Sequence, residues 1–187
     1  MQVNAFTCFT NLPSPCGRGV GGEGSSATRR HEKLDNYNAQ MNAPPFVVRP
    51  VNWLATRDKL SAVRRAVFVF EQNVPEELEW DQDDERAYHV LATAEDGTPI
   101  GTGRLKLDCH IGRMAVLQKW RRRRVGSAIL QALLVLAEKE GCTVVRLHAQ
   151  THAVPFYEVH GFTAYGEEFQ EAGIAHRKME LKLLGRS

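Results

Sequence analysis

Apolar positions recur regularly only from Phe46 onward. FVVRPV, residues 46–51, is a short β-branched run and predicts a strand. Asn52 is a helix-capping residue type. Behind it Leu54, Leu60, Val63, Val67 and Phe70 recur near the 3.6 period, which predicts a helix with one buried face. EQNVPEELEWDQDDE contains Pro75 and few apolar residues, and predicts mostly loop. AYHVLATA, PIGTGRLKL and HIGRMAVL predict three strands, the first two joined by a tight turn at Asp96-Gly97. From Arg124 to Glu140 the positions Val125, Ile129, Leu133, Leu136 and Ala137 keep helical spacing, with Gly141 as the stop. TVVRLHA predicts a strand, Val154 to His160 a short helix ended by Gly161, and HRKMELKLL a last strand. The order β-α-β-β-β-α-β-α-β predicts an α/β (α+β) fold, a mixed sheet with helices packed on it. The final apolar strand is a candidate for pairing between subunits of a homodimer.

Residues 1–45 lack this pattern. LPSPCGRGVGGEGSSATRR is rich in Gly, Ser and Pro and predicts a disordered tail, leaving a domain over residues 46–184. Gly17, Gly19 and Gly22 match G-x-G-x-x-G, but no strand precedes them and no apolar helix follows, which excludes a dinucleotide site. Met41, just before the regular pattern, is the expected true start.

Composition adds bounds. The chain has 187 residues, 43% apolar and 25% charged, as expected of one globular domain. Apolar runs fall well short of the roughly 18 residues a membrane span needs. The net charge of +2 matters less than its distribution. Glu71 to Glu85 holds eight acidic residues and no basic one, while Arg104 to Arg124 holds eight Lys/Arg and one Asp. One segment favours a cation, the other an anion. Cys8, Cys16, Cys109 and Cys142 show no C-x-x-C spacing. This argues against a disulfide framework or a zinc site, and Cys109 and Cys142 read as core thiols in a reducing compartment. No basic-then-apolar leader pattern is visible, so the cytoplasm is expected.

Two segments carry chemistry. In VLQKWRRRRVGSAIL a strand leads through a basic turn into a helix, whose first N–H groups are free and lie at the positive end of the helix dipole. That is an anion site, strengthened by the guanidinium forks of Arg121, Arg122, Arg123 and Arg124. Gly126 allows close approach of a ligand to the backbone. A nucleic-acid footprint calls for aromatics interleaved over a face, and only Trp120 is adjacent, so no nucleic-acid partner is expected. The second segment, QTHAVPFYEVHGF, puts Tyr157 on a short helix stopped by Gly161. His148, His152 and His160 form no compelling metal set, and no metal is expected.

Together these segments resemble the GCN5-related N-acetyltransferase (GNAT) family. Arg121-Arg122-Arg123-Arg124-Val125-Gly126 is similar to the family's Gln/Arg-x-x-Gly-x-Gly/Ala cofactor motif, but has Arg124 where the family usually has Gly. PFYEVHGF is similar to its Tyr-bearing helix ending in Gly-Phe. FVFEQNVPEELEWDQDD and EFQEAGIAHRKMEL resemble the ElaA/YjcF-like subgroup. The likeness covers residues 46–184 and implies a mixed central sheet of six to seven strands flanked by helices.

It also implies acetyl-CoA as acyl donor and a primary amine of a small molecule or peptide as acceptor, with direct attack and no acyl-enzyme. On this resemblance the cofactor-binding residues are Met114, Ala115, Val116, Arg121, Arg122, Arg123, Arg124, Val125, Gly126, Ser127 and Gln150. Backbone N–H groups around Met114, Ala115 and Val116 are candidates for holding the oxyanion. Tyr157 is the candidate proton donor to the leaving thiolate. Glu71 or Glu79 is the candidate base through water, with His89 behind them. A fold that binds acyl-CoA as a sensor without turnover is the alternative reading, kept open by Arg124.

Overall fold

In a computed structural model the structure describes residues 45–79 and 81–183. The expected tail apart from Pro45, the Gly17-Gly19-Gly22 run and the start at Met41 lie outside the described residues.

The elements are β1 (Phe46–Val51), α1 (Trp53–Arg64), α2 (Glu76–Glu79), β2 (Tyr88–Ala94), β3 (Pro99–Leu105), β4 (His110–Val116), α3 (Val125–Lys139), β5 (Val144–Gln150), α4 (Val154–Val159), β6 (Thr163–Glu171) and β7 (Ile174–Lys182). They form a mixed α/β fold around one seven-stranded sheet of order β1-β2-β3-β4-β5-β7-β6. Neighbours are antiparallel except β4 and β5, which run parallel.

Most elements arise where the apolar pattern puts them, and the exceptions have local causes. Asn52 accepts the Ala55 N–H at 3.2 Å and caps α1 as expected. The face that α1 buries holds Trp53, Leu60 and Val63, continued by Val67 just beyond it, whereas Leu54 and Phe70 are 78% and 73% exposed. Leu54 lies one residue off the stripe. Phe70 lies in the π-helical continuation Arg65–Glu71, whose wider turn shifts the phase of the face. The acidic segment is not simply loop: it holds α2 and a 3-10 turn, Gln82–Glu85. β6 was not predicted, because most of its residues are exposed and show no two-residue apolar period.

α3 seats directly on the sheet. A Cβ at Gly101 would stand 2.7 Å from Ile129, and one at Gly103 would stand 2.8 Å from Leu133, so a side chain at either position would force those side chains to shift. Val125, Ile129, Leu130, Leu133 and Ala137 pack there against Val90, Ile100, Ile111 and Val145.

Two expectations are corrected. The last strand, β7, lies between β5 and β6 with both edges paired, so it offers no edge to a second subunit. Cys109 and Cys142 are not separate core thiols but form a disulfide, with Cα atoms 6.0 Å apart. Cys109 lies in the β3–β4 turn and Cys142 in the α3–β5 connection. The parallel start of β4 beside β5 brings the two turns together, which spacing along the chain does not reveal.

Candidate active site

β4 and β5 begin side by side and then separate. Only His110↔Arg146 and Ile111↔Leu147 pair, so the two strands part from Gly112 onward. The β3–β4 register shifts between Thr102 and Arg104, and Arg113 has φ 52°, which marks a bulge that bends β4 where the parting begins. The parted strands open into a cleft of about 1190 Å³. Of the predicted residues, Glu71, Glu79, Met114, Ala115, Val116, Arg121, Gln150 and Tyr157 line it. Arg122, Arg123, Arg124, Val125, Gly126 and Ser127 are not among its lining residues. They form the turn beyond β4 and the first turn of α3.

That turn keeps a glycine-like shape without glycine. Arg124 caps α3 with φ 64° and Arg122 has φ 61°, both left-handed. Arg124 therefore adopts the backbone that glycine takes most readily, at a cost of about 1–2 kcal/mol. No side chain caps α3 among the described residues, so its leading N–H groups remain available to an anion. Arg123 lies over the Trp120 ring at 5.2 Å. A Cβ at Gly126 would meet Phe156 no closer than 3.6 Å, an ordinary contact, so protein packing does not demand that glycine. His160 Nε2 and Ser127 Oγ are 3.0 Å apart, linking α4 to α3.

Arg121 is already engaged. Its two terminal nitrogens donate to the Glu71 carboxylate, both at 2.6 Å, and its Nε donates to the Val116 carbonyl at 3.0 Å. Hydrogen bonds from Arg121 hold the Glu71 carboxyl below the usual range, against a small opposing effect of burial. Gln150 and Gln72 exchange amide hydrogen bonds at 2.8 and 3.3 Å, joining the end of the π-helical stretch Arg65–Glu71 to the end of β5. The Tyr157 hydroxyl donates to Met114 Sδ at 3.7 Å. Burial pushes its phenol up to about 12.

The acidic segment is largely neutralised from beneath. Arg64 donates to Glu79 at 2.5 Å and to Asp84 at 2.8 Å. Arg104 donates to Asp81 at 2.6 Å and to Asp84 at 2.7 Å. Arg113 reaches Asp81 at 3.1 Å, and Lys106 reaches Asp83 at 2.8 Å. Burial pushes the Glu79 carboxyl upward, against the pull of Arg64 and Arg113. His89 is buried, its Nε2 2.8 Å from the Asp84 carbonyl and its ring stacked on Trp53, and it does not line the cleft. Desolvation lowers its pKa, as for a core histidine.

Sequence reasoning did not single out Gln72, His110, Arg104, Arg113 or Glu171, all of which line the cleft. For β5 a signal existed. Val145, Leu147 and Ala149 are buried in alternation, which sets His148 on the same face as Gln150.

The sequence pattern of the acetyltransferase (GNAT) domain matches residues 55–183. The chain is 42% identical over 122 residues to the uncharacterized N-acetyltransferase YjcF of Bacillus subtilis, covering 63% of this chain and 86% of that protein. It is 31% identical over 137 residues to protein ElaA of Escherichia coli, covering 67% and 86%. Among solved structures it is similar to Escherichia coli ElaA, with TM-score 0.65 and 27% identity over 72% of this chain and 98% of that one. An acyl-CoA N-acyltransferase from Pseudomonas aeruginosa gives TM-score 0.64 and 27% identity, again over 72% and 98%.

Proposed function

This chain belongs to the acetyltransferase (GNAT) family and is an N-acetyltransferase, and we propose that it moves the acetyl group of acetyl-CoA to a primary amine of a small molecule or peptide by direct attack. The observation that carries the reading is the parting of β4 from β5 after two residue pairs, in a cleft that also holds the Tyr157 hydroxyl. The residues present fit the donor. A strand edge freed of its partner suits the amide groups of an extended thiol arm. The uncapped start of α3, with Arg122, Arg123 and Arg124 in the preceding turn, suits its phosphates. On this reading Val125, Gly126 and Ser127 supply amides, and Gln150 supports the β5 side.

Bound acetyl-CoA supplies an activated thioester carbonyl. The N–H groups of Met114, Ala115 and Val116 are the proposed donors to the carbonyl oxygen as it gains charge. Arg121 exchanges Glu71 for phosphate, or keeps Glu71 as the anchor that aims it. Glu71 and Glu79 are the carboxylate candidates for drawing the proton from the acceptor through water. Tyr157 faces the departing sulfur. A phenol near 12 gives its proton to a thiolate of ordinary pKa, ~8.5, only uphill. Its better-matched role is a hydrogen bond that stabilises the sulfur as charge builds.

Thermal unfolding with and without acetyl-CoA tests the binding half. The expected result is a rise in Tm that grows with ligand concentration, and no rise overturns the reading. Thiol release over a panel of primary amines tests transfer. Stabilisation without thiol release would favour the alternative, an acyl-CoA-binding sensor.

A further inference from the structure

Among the described residues five carboxylates line the cleft: Glu71, Glu79, Asp81, Asp83 and Glu171. The first four are held by cations: Glu71 by Arg121, Glu79 by Arg64, Asp81 by Arg104 and Arg113, and Asp83 by Lys106. A carboxylate paired with a guanidinium or ammonium is a weak proton acceptor and has little charge left for an incoming cation. Glu79 is raised by burial, but it is 2% exposed and its carboxylate is taken by Arg64 at 2.5 Å.

Glu171 differs. Among the described residues its side-chain hydrogen bond is to an imidazole: His148 Nδ1 donates to its Oε2 at 2.9 Å. His148 comes from β5 and Glu171 from the end of β6, so the pair joins two walls of the cleft, and both residues line it. The His148 ring is fixed edge-on by two neighbours, His110 from β4 and Phe169 from β6, each with ring centroids 4.8 Å away. From β7, Lys178 is its register partner and lies over Phe169, while His176 bonds the Ile174 carbonyl at 2.8 Å. With Nδ1–H committed to Glu171, Nε2 is the nitrogen left with a free lone pair.

We propose that His148, oriented by Glu171, is the base that takes the proton from the acceptor ammonium, and that the acceptor amine enters along the β5–β6 wall of the cleft. This rests on the N-acetyltransferase reading above. An alkylamine with pKa ~10.4 is almost wholly protonated at neutral pH and has no lone pair to attack with. His148 Nε2 accepts one proton, directly or through a water, and the freed nitrogen pair forms the C–N bond as the C–S bond breaks. Of the two protons the nitrogen loses, one leaves through His148 to solvent and the other ends on the departing sulfur. Glu171 is a positioning residue: its charge attracts the ammonium and steadies the imidazolium while it exists.

The test uses acetyl-CoA with butylamine, spermidine and a short peptide with a free N-terminus, followed by thiol release. With the best of these amines, H148A and H148Q are expected to lose about 100-fold or more in kcat. Acetyl-CoA should raise their Tm as much as it does for the wild type. Free imidazole should restore part of the turnover of H148A, and E171Q should fall between wild type and H148A. Turnover of both His148 variants within about threefold of wild type overturns the proposal, since positioned bases contribute far more than this. So does loss of the acetyl-CoA stabilisation along with turnover, or no restoration by imidazole. A wild type that releases no thiol with any amine sinks the transferase reading itself, and the base with it.

Discussion

Arg124 shows how one residue can keep a functional shape while disfavouring it. Its φ of 64° gives the turn before α3 the form glycine would give it, and its side chain adds charge at the same place. Substituting R124G relieves the left-handed strain but loosens the unfolded chain, for a net gain of about 0.5–1 kcal/mol in stability. Urea denaturation measures that gain, and the same variant reports whether the Arg124 guanidinium contributes to acetyl-CoA affinity. Tyr157 makes a different prediction. Among the described residues its hydroxyl reaches only Met114 Sδ, at 3.7 Å, a weak partner to lose. Y157F should therefore leave stability and acetyl-CoA binding nearly unchanged while kcat falls by roughly 10–100-fold. Unchanged kcat would reduce Tyr157 to packing.

At the scale of elements, the segment from α2 to the 3-10 turn is held by its charges. Among its described residues few apolar side chains are buried, and Arg64, Arg104 and Arg113 tie its carboxylates to α1, β3 and β4. Burial pushes the Asp81 carboxyl up. The hydrogen bonds and charge of Arg104, with Arg113 and Arg64 behind it, overcome this and bring it down to about 2. A folded pKa below the unfolded value of ~3.9 means that Asp81 contributes its stability above pH ~4 and loses it as pH falls toward 2. Glu79 has the opposite sign, because its raised pKa lets the folded state take up a proton before the unfolded one. In urea titrations D81N should be less stable than wild type at pH 6, and the gap should narrow steadily as pH falls from ~4 toward ~2. A constant gap would assign the effect of Asp81 to shape rather than charge.

For the whole molecule, the decisive feature is that β4 and β5 are joined at one end and apart at the other. The Cys109–Cys142 bond lies at the joined end, where the Arg146 N–H also bonds the Cys109 carbonyl at 3.1 Å. The bond closes a sequence separation of 33, which chain-entropy reasoning values at about 3–4 kcal/mol. C142S, or reduction of the wild type, should lower Tm by roughly 10 °C. A shift near zero would show that strand pairing alone holds that end.

Much of this architecture is legible in one dimension, because the information is local. β-branched and apolar runs between turn residues mark six of the seven strands among the described residues, the 3.6 period marks α1 and α3, and a glycine stop marks α4. The arginine run before an apolar helix marks the proposed anion site, and the resemblance over residues 46–184 points to the acyltransferase chemistry. β6 is hidden because its exposed residues carry no period. Cys109 and Cys142, the Arg64–Glu79 and Arg104–Asp81 pairs, and His148–Glu171 are hidden because each joins residues between 15 and 33 positions apart. An acidic run reads in sequence as free negative charge, and only the fold brings the arginines that cancel it. The sequence by itself determined most of the elements, β6 and α2 excepted, the basic turn before α3 and the presence of Tyr157. The tertiary structure decided which carboxylates are spent on arginines and which one is left beside an imidazole, because pairing between charges depends on distance through space and not along the chain.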